Sequence, residues 1–299
     1  MNRLIRVRNR GCGFFSNWNQ VLGELVDAEI ERNDVSVDWV EPITNGWVYG
    51  LPGQNVWNEL FLPVATWHGP PWAGEDVRSH DAQFPWHRTG GQNRDTIRSW
   101  GTPEAMATLK ALHRAYVTSV IMQPNLISHL WRVWNPLSDC RRVVGIHHRH
   151  PWHYYDTRSD SLTWEDIERI IKWERLEPEK GDRVFLASDL QHTIDWAKKT
   201  WPDLIVAQDD VDRAPPNVPE YHSSNPPAEK QGPRLAFQVY ADVWCLSRCS
   251  RFYGKVSNVT LGVQIMTPTI DFQLAERGWL PPGDLKPCGT VPVSKEGGP

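Results

Sequence analysis

Apolar and polar positions along this chain alternate between two periods, one of strands and one of helices. "NRLIRVRN" alternates apolar and charged residues as a half-exposed strand does, and the Gly-containing "GCGFFSNWNQ" after it reads as a turn. "WNQVLGELVDAEIERND" carries apolar residues at helical spacing, at Val21, Leu22, Leu25, Ala28 and Ile30, and "VSVDWV" supplies a second strand. Strand, glycine loop, helix and strand make a βαβ unit, which predicts a parallel sheet. Residues 65–99, rich in Gly, Pro, Trp, His and Asp without periodicity, read as a long ordered loop or lid, because linkers seldom carry so many aromatics.

From 102 to 134 the pattern is helical, with Thr102 as N-cap before Pro103 and Glu104 and a second helix beginning after Pro124. "RRVVGIHHRH" is a β-branched run entering a polar cluster, and "TWEDIERIIKWERL" is a helix capped by Thr163. "DRVFLASD" is a buried strand, "HTIDWAKKTW" a helix, "DLIVAQDD" a strand and "RLAFQVYADVWCLSRCS" a helix. "RFYGKVSNVTLGVQIM" adds a strand, a small-residue turn and a helix, and the Pro/Gly-rich tail from Gly283 is expected to fray. The fold class is therefore α/β, in two halves, 1–138 and 139–299. Ligands of open parallel sheets bind where strand-to-helix loops converge at the carboxyl ends of strands. Four loops qualify: 11–19, 147–156, 188–192 (which starts at Ser188) and 254–258.

Composition narrows the classes. A formal charge of −4 offers no basic footprint, so nucleic acid is not an expected partner. "AYVTSVIM" at 115–122, among the longest apolar runs, falls short of the ~20 residues of a membrane span, and the start of the chain lacks the apolar segment of a signal peptide. The five cysteines, at 12, 140, 245, 249 and 288, form no CxxC, which fits a reducing, cytoplasmic location. Seventeen tryptophans, among them Trp67, Trp72, Trp86 and Trp100, suit both core packing and stacking on sugar rings.

The densest chemistry is "RRVVGIHHRHPWHYYD". On a strand, His147 and Arg149 share one face while His148 and His150 share the other. A metal site would use His148 and His150 with His153, yet no HExxH or carboxylate triad accompanies them, and neither a metal nor another cofactor is expected. Arg149 fits an anion better, its planar fork taking two phosphate oxygens at once while glycine and Ser/Asn turns add backbone N–H donors. "GCGFF" is neither GxGxxG nor a P-loop. "VAQDDVD" places Asp210 and Asp212 in a DxD pattern, which holds a divalent ion in metal-dependent glycosyltransferases or is simply an acidic turn.

The order of these clusters resembles the fucosyltransferase superfamily of nodulation-factor and core α1,6-fucosyltransferases and protein O-fucosyltransferases. "VVGIHHRH" resembles that family's G-hydrophobic-H-x-R-[RH] strand, "VFLASD" its later strand ending in aspartate, "DVWCLSRCSRFYGKVSNV" its C-terminal helix, strand and Ser-rich turn, and "GCGFFSNWNQ" its N-terminal Gly-rich loop. Where many members carry a second arginine the chain has His150, as the nodulation branch does, and it departs from the pattern at Pro151-Trp152 and at Ser257-Asn258. The resemblance implies a GT-B-like fold of two Rossmann-like domains facing a cleft, with the nucleotide sugar held by the C-terminal one; the Trp-rich loop, by its composition, is the expected holder of the acceptor. It implies an inverting transfer of L-fucose from GDP-fucose to a glycan hydroxyl without a metal. By the same resemblance Arg149 meets the leaving diphosphate together with Ser257 and Asn258, and His147, Ser188, Asp189 and Asp242 contact the donor. Gly11, Gly13 and Phe14 line the N-terminal loop, and Asp156 is the acceptor's base, with Asp160 and Glu165 as rivals. Packing roles compete: Asp189 as a helix N-cap and His147 as a core histidine. A DxD transferase of another nucleotide sugar and a non-catalytic glycan-binding protein are the alternatives.

Overall fold

Parallel pairing runs through both sheets of the computed structural model, which describes residues 3–8, 13–40, 53–64, 74–78, 101–149, 161–209, 211, 213 and 233–282. Gly11, His150, His153, Asp156, Asp160, Asp210, Asp212, Trp67, Trp72, Trp86, Trp100 and the tail from Gly283 lie outside the described residues. The first sheet has the order β2-β1-β3, with β1 at Leu4–Arg8, β2 at Asp34–Asp38 and β3 at Glu75–Arg78. The second comprises β4 (Arg142–His148), β5 (Asp182–Ser188), β6 (Ile205–Val206), β7 (Arg251–Gly254) and β8 (Asp271–Leu274). Its order, β6-β5-β4-β7-β8, reverses direction between β4 and β7 and is the doubly wound order of nucleotide-binding sheets.

Helix α1 (Phe14–Glu31) begins earlier than the apolar spacing alone suggests. Most of the stretch read as a turn is its first two turns, because Phe14, Phe15 and Trp18 extend the stripe of Val21, Leu22 and Leu25 toward the amino end. Ile30, expected on that stripe, faces water at 75% exposure. Helix α2 spans Val56–Leu60, α3 Pro103–Ser119 and α4 Pro124–Trp134. The Thr102 hydroxyl accepts the Ala105 N–H at 3.3 Å, as its position before Pro103 predicts. In α5 (Trp164–Glu174), Thr163 and Asp166 satisfy each other's backbone N–H in a capping box. Next come α6 (Gln191–Thr200), α7 (Pro233–Leu246) and α8 (Asn258–Met266). The N-cap of α6 is Leu190, so Asp189 does not cap it. Strands β3 and β8 were not anticipated: "EDVR" is almost wholly polar, and "DFQL" follows the turn after α8 with only two apolar residues.

The larger core cluster runs from β1 and α1 through α3 and α4 to α7 and α8, so the helices of the first half pack on those of the second. Phe15 lies against Gly262 of α8, where an added Cβ would stand 2.6 Å from the ring, and stacks 6.2 Å from Tyr240 of α7. Burying a side chain as large as Phe15 contributes roughly 1.5–3 kcal/mol. Trp18, Trp39, Trp57, Trp244 and Trp279 are core residues, whereas Trp131, Trp164 and Trp173 are exposed. The smaller cluster lies between the second sheet and α5 and α6. β4 alternates between the two, Val143 joining the larger and Val144 and Ile146 the smaller. Among the described residues no helix is long and apolar enough to cross a membrane.

Ion pairs line the amino-terminal edge of the second sheet. Arg141 meets both oxygens of Asp182, at 2.9 and 2.7 Å, and holds that carboxyl down to about 2. Glu174 accepts from Arg142 at 3.4 Å, from Arg251 at 2.9 Å and from the Tyr253 hydroxyl, and Arg251 also reaches Asp271 at 2.6 Å.

Candidate active site

At the opposite edge, β4 and β7 separate, and the chain places its reactive side chains there. His147, 8% exposed, has no hydrogen-bond partner for Nδ1 among the described residues. Burial, reinforced by Arg149 and Lys255 and opposed by Asp189, pushes its pKa down to about 3, so the ring is neutral at pH 7. Arg149, Asp189 and Lys255 therefore lie within electrostatic reach of one imidazole. Gly145, two residues before His147 on the same face, has no room for a side chain: a Cβ would stand 3.0 Å from Cys249 Sγ and from Leu246. Arg149 follows the end of β4 and is half-buried.

The expected division of faces holds, since His148, 4% exposed, turns to the other side and shares a 3.0 Å hydrogen bond with Ser188, its register partner on β5. That bond occupies Nδ1 of His148. The Ser188 hydroxyl also accepts the Leu190 N–H at 3.1 Å, shaping the turn that carries Asp189.

The Ser257 hydroxyl caps α8, accepting the Thr260 N–H at 3.1 Å. The Thr260 hydroxyl donates to the Lys255 carbonyl at 2.5 Å, which leaves Ser257 as donor in their mutual 3.2 Å contact. Both roles of that hydroxyl are used within the turn, so what it offers an anion is the main-chain N–H groups opening α8. Asn19 of α1 donates to the Asn258 carbonyl at 3.2 Å, joining the first helix to the last at this point. Gly13 is the N-cap of α1, and the Phe14 ring is buried against Phe15, Trp39 and Tyr240, so only the main chain of Phe14 remains for a ligand.

Asp242, one turn before the end of α7, retains some surface, but its carboxyl lies close to Asp189 and Arg213 and is bonded by Gln208. Burial pushes its pKa up to about 6 despite Arg213 and Gln208, which pull the other way. Arg213, 7% exposed, ties the ends of β5 and β6 together by donating to the Ser188 carbonyl at 3.0 Å and the Gln208 carbonyl at 2.6 Å. Glu165 is exposed at the start of α5, and its own backbone N–H and the Thr163 hydroxyl hold its pKa low, which suits a cap better than a base.

The structure thus brings together His147, Arg149, Ser188, Asp189 and Asp242. It adds Lys255, 3% exposed, and Gln208, Arg213 and Asn19, which sequence reasoning missed. A lysine one position past a strand end was a usable signal for the first. Gln208 and Arg213 flank the acidic residues that had been weighed as a DxD.

No protein-family model and no curated protein sequence matches the chain. Solved structures do. A NodZ alpha-1,6-fucosyltransferase soaked with GDP-fucose is 15% identical with a TM-score of 0.55, over 90% of this chain and 94% of that one. The NodZ fucosyltransferase from Bradyrhizobium is 16% identical with a TM-score of 0.55, over 90% and 94%. An Arabidopsis thaliana FUT1 variant in complex with GDP is 10% identical with a TM-score of 0.52, over 89% of this chain and 68% of that one. The chain shares the α/β fold of these fucosyltransferases along nearly its whole length.

Proposed function

We propose that the protein is an inverting glycosyltransferase that moves L-fucose from GDP-fucose to a hydroxyl of a glycan. The observation that carries the reading is that Arg149 and Lys255 lie beside neutral His147 where the strand order reverses, with Lys255 leading into the amino end of α8. Such a place offers fixed positive charge and main-chain donors to a diphosphate. Fold likeness to enzymes crystallised with GDP and GDP-fucose supports the choice of nucleotide.

In this reading the halves 1–138 and 139–299 act as the acceptor and donor units of a GT-B pair. As the sugar becomes oxocarbenium-like, charge builds on the departing diphosphate. Arg149 takes two of its oxygens through the guanidinium fork, and the N–H groups opening α8 take others, lowering the barrier because they are in place beforehand. Asp242 accepts from the guanine edge. Asp156 receives the acceptor's proton, leaving the hydroxyl oxygen free to form the new glycosidic bond as the carbon–phosphate-oxygen bond breaks.

A thermal-shift panel tests the reading. GDP and GDP-fucose raise Tm by several degrees, UDP and UDP-sugars do not, and EDTA changes nothing. A larger shift with UDP compounds, or one that requires manganese, overturns the donor assignment.

A further inference from the structure

We infer that Gln208 is a positioning residue of the nucleotide site, fixing the plane of the Asp242 carboxylate so that its outward side meets the guanine edge. The inference rests on the GDP reading above. Gln208 is 3% exposed, and its Nε2 lies 3.0 Å from the Gln238 carbonyl and 2.9 Å from Asp242 Oδ1. A carbonyl and a carboxylate only accept, so both bonds require the nitrogen, which settles which way the amide faces. Its oxygen then lies 3.1 Å from His129 Nε2, and that ring nitrogen must carry the proton. His129 Nδ1 is left to accept from Arg132 at 3.4 Å, and burial lowers the pKa of His129, which keeps the ring neutral. The Gln208 main chain is held as well, by the Arg213 bond to its carbonyl.

The amide is therefore fixed from α4, from α7 and from the segment after β6, and it has no orientation to spare for a ligand. Asp242 faces the charges of Arg213 and Asp189, and Cys245 lies near it on its own helix. Among the described residues it is Gln208 that holds Asp242 Oδ1 by a hydrogen bond, which sets the carboxylate's rotation. With Oδ1 held from the inside, the outward lone pairs are presented in one plane. Guanine offers two adjacent donors to such a plane, N1–H and the 2-amino group. Hypoxanthine, otherwise the same base, lacks the amino group.

The test compares GDP with inosine diphosphate by calorimetry on the full chain. The unaltered protein binds GDP about tenfold more tightly, the value of a hydrogen bond to a charged group. Gln208→Leu removes the anchor at nearly equal volume, so GDP affinity falls about tenfold while inosine diphosphate affinity changes little, and the ratio approaches one. Turnover at saturating donor stays the same, so the loss appears in KM. If Gln208→Leu folds poorly, His129→Leu keeps the glutamine but frees its oxygen, and the ratio falls by a smaller factor. A variant that binds GDP with the full preference intact overturns the positioning role alone. An unaltered protein that binds the two nucleotides equally overturns the reading of Asp242 and this inference with it.

Discussion

The two edges of the second sheet handle charge in opposite ways. At the amino-terminal edge, the first residues of β4, β5, β7 and β8 are Arg142, Asp182, Arg251 and Asp271, and each is joined to opposite charge within the fold. The pKa of Asp182 falls accordingly. At the carboxyl edge burial dominates: it holds His147 neutral, with Arg149 and Lys255 adding to the effect and Asp189 opposing it, and it raises the Asp242 carboxyl toward its protonated form despite Arg213. The first edge is arranged for the stability of the chain itself. At the second, burial moves the titration of His147 and Asp242 away from their ordinary ranges, the pattern of a candidate functional site.

The strongest way to break this contrast is to alter each edge in turn. Arg149→Lys keeps the charge and loses the fork, so kcat falls roughly 10²-fold while the Tm of the unliganded protein stays within a degree or two. Steady-state kinetics with GDP-fucose and a thermal melt read both sides. Glu174→Ala does the reverse. It takes one carboxylate partner each from Arg142 and Arg251, which keep Asp182 and Asp271, and the acceptor from the Tyr253 hydroxyl, so urea unfolding shows a loss of about 2 kcal/mol, discounted because both guanidinium groups remain about one-third exposed. Its kcat and KM are those of the parent. A Glu174→Ala protein that is fully stable but inactive would reverse the assignment of the two edges.

The smallest effect is pH dependence. Asp242 offers an acceptor on each oxygen only when ionised, and its pKa is raised to about 6, so GDP affinity is full above pH 7 and falls as pH drops through 6, about tenfold by pH 5. The sign is set by the raised carboxylate: the folded protein holds the proton longer than a free aspartate would. Asp242→Asn abolishes the slope in calorimetric titrations from pH 5 to 7.5, and a slope surviving in that variant assigns the titration to another group.

Much of the carboxyl edge was legible in the order of residues. A β-branched run that ends in His147, His148 and Arg149 is buried by its apolar part and turns polar where the sheet stops, and strand periodicity separated the two histidine faces correctly. Thr102 and Thr163 announced their helices because capping is local chemistry. Asn19, Gln208 and Arg213 left no such mark. Asn19 finds its partner 239 residues away, and Gln208 depends on His129, Gln238 and Asp242 from two helices, contacts that only the packed core creates. β3 was hidden for a different reason: a four-residue strand of mostly polar residues has no alternation to detect. The start of α1 was lost to the glycines before it, which signal a turn more loudly than Phe14 and Phe15 signal a helix.

The seating of Phe15 on Gly262, beside the bond from Asn19 to Asn258, has a consequence for how the protein is made. Helix α1 leaves the ribosome well before α7 and α8, which supply much of the surface covering Phe14, Phe15 and Trp18 on its apolar stripe. At roughly 5–20 residues per second the wait is on the order of tens of seconds. Throughout it the stripe can meet Trp39 and Tyr116 but not Tyr240 or Gly262, and final closure requires a contact between distant parts of the sequence, the slow kind in folding. The core that α1 begins is therefore completed only once α7 and α8 have been made.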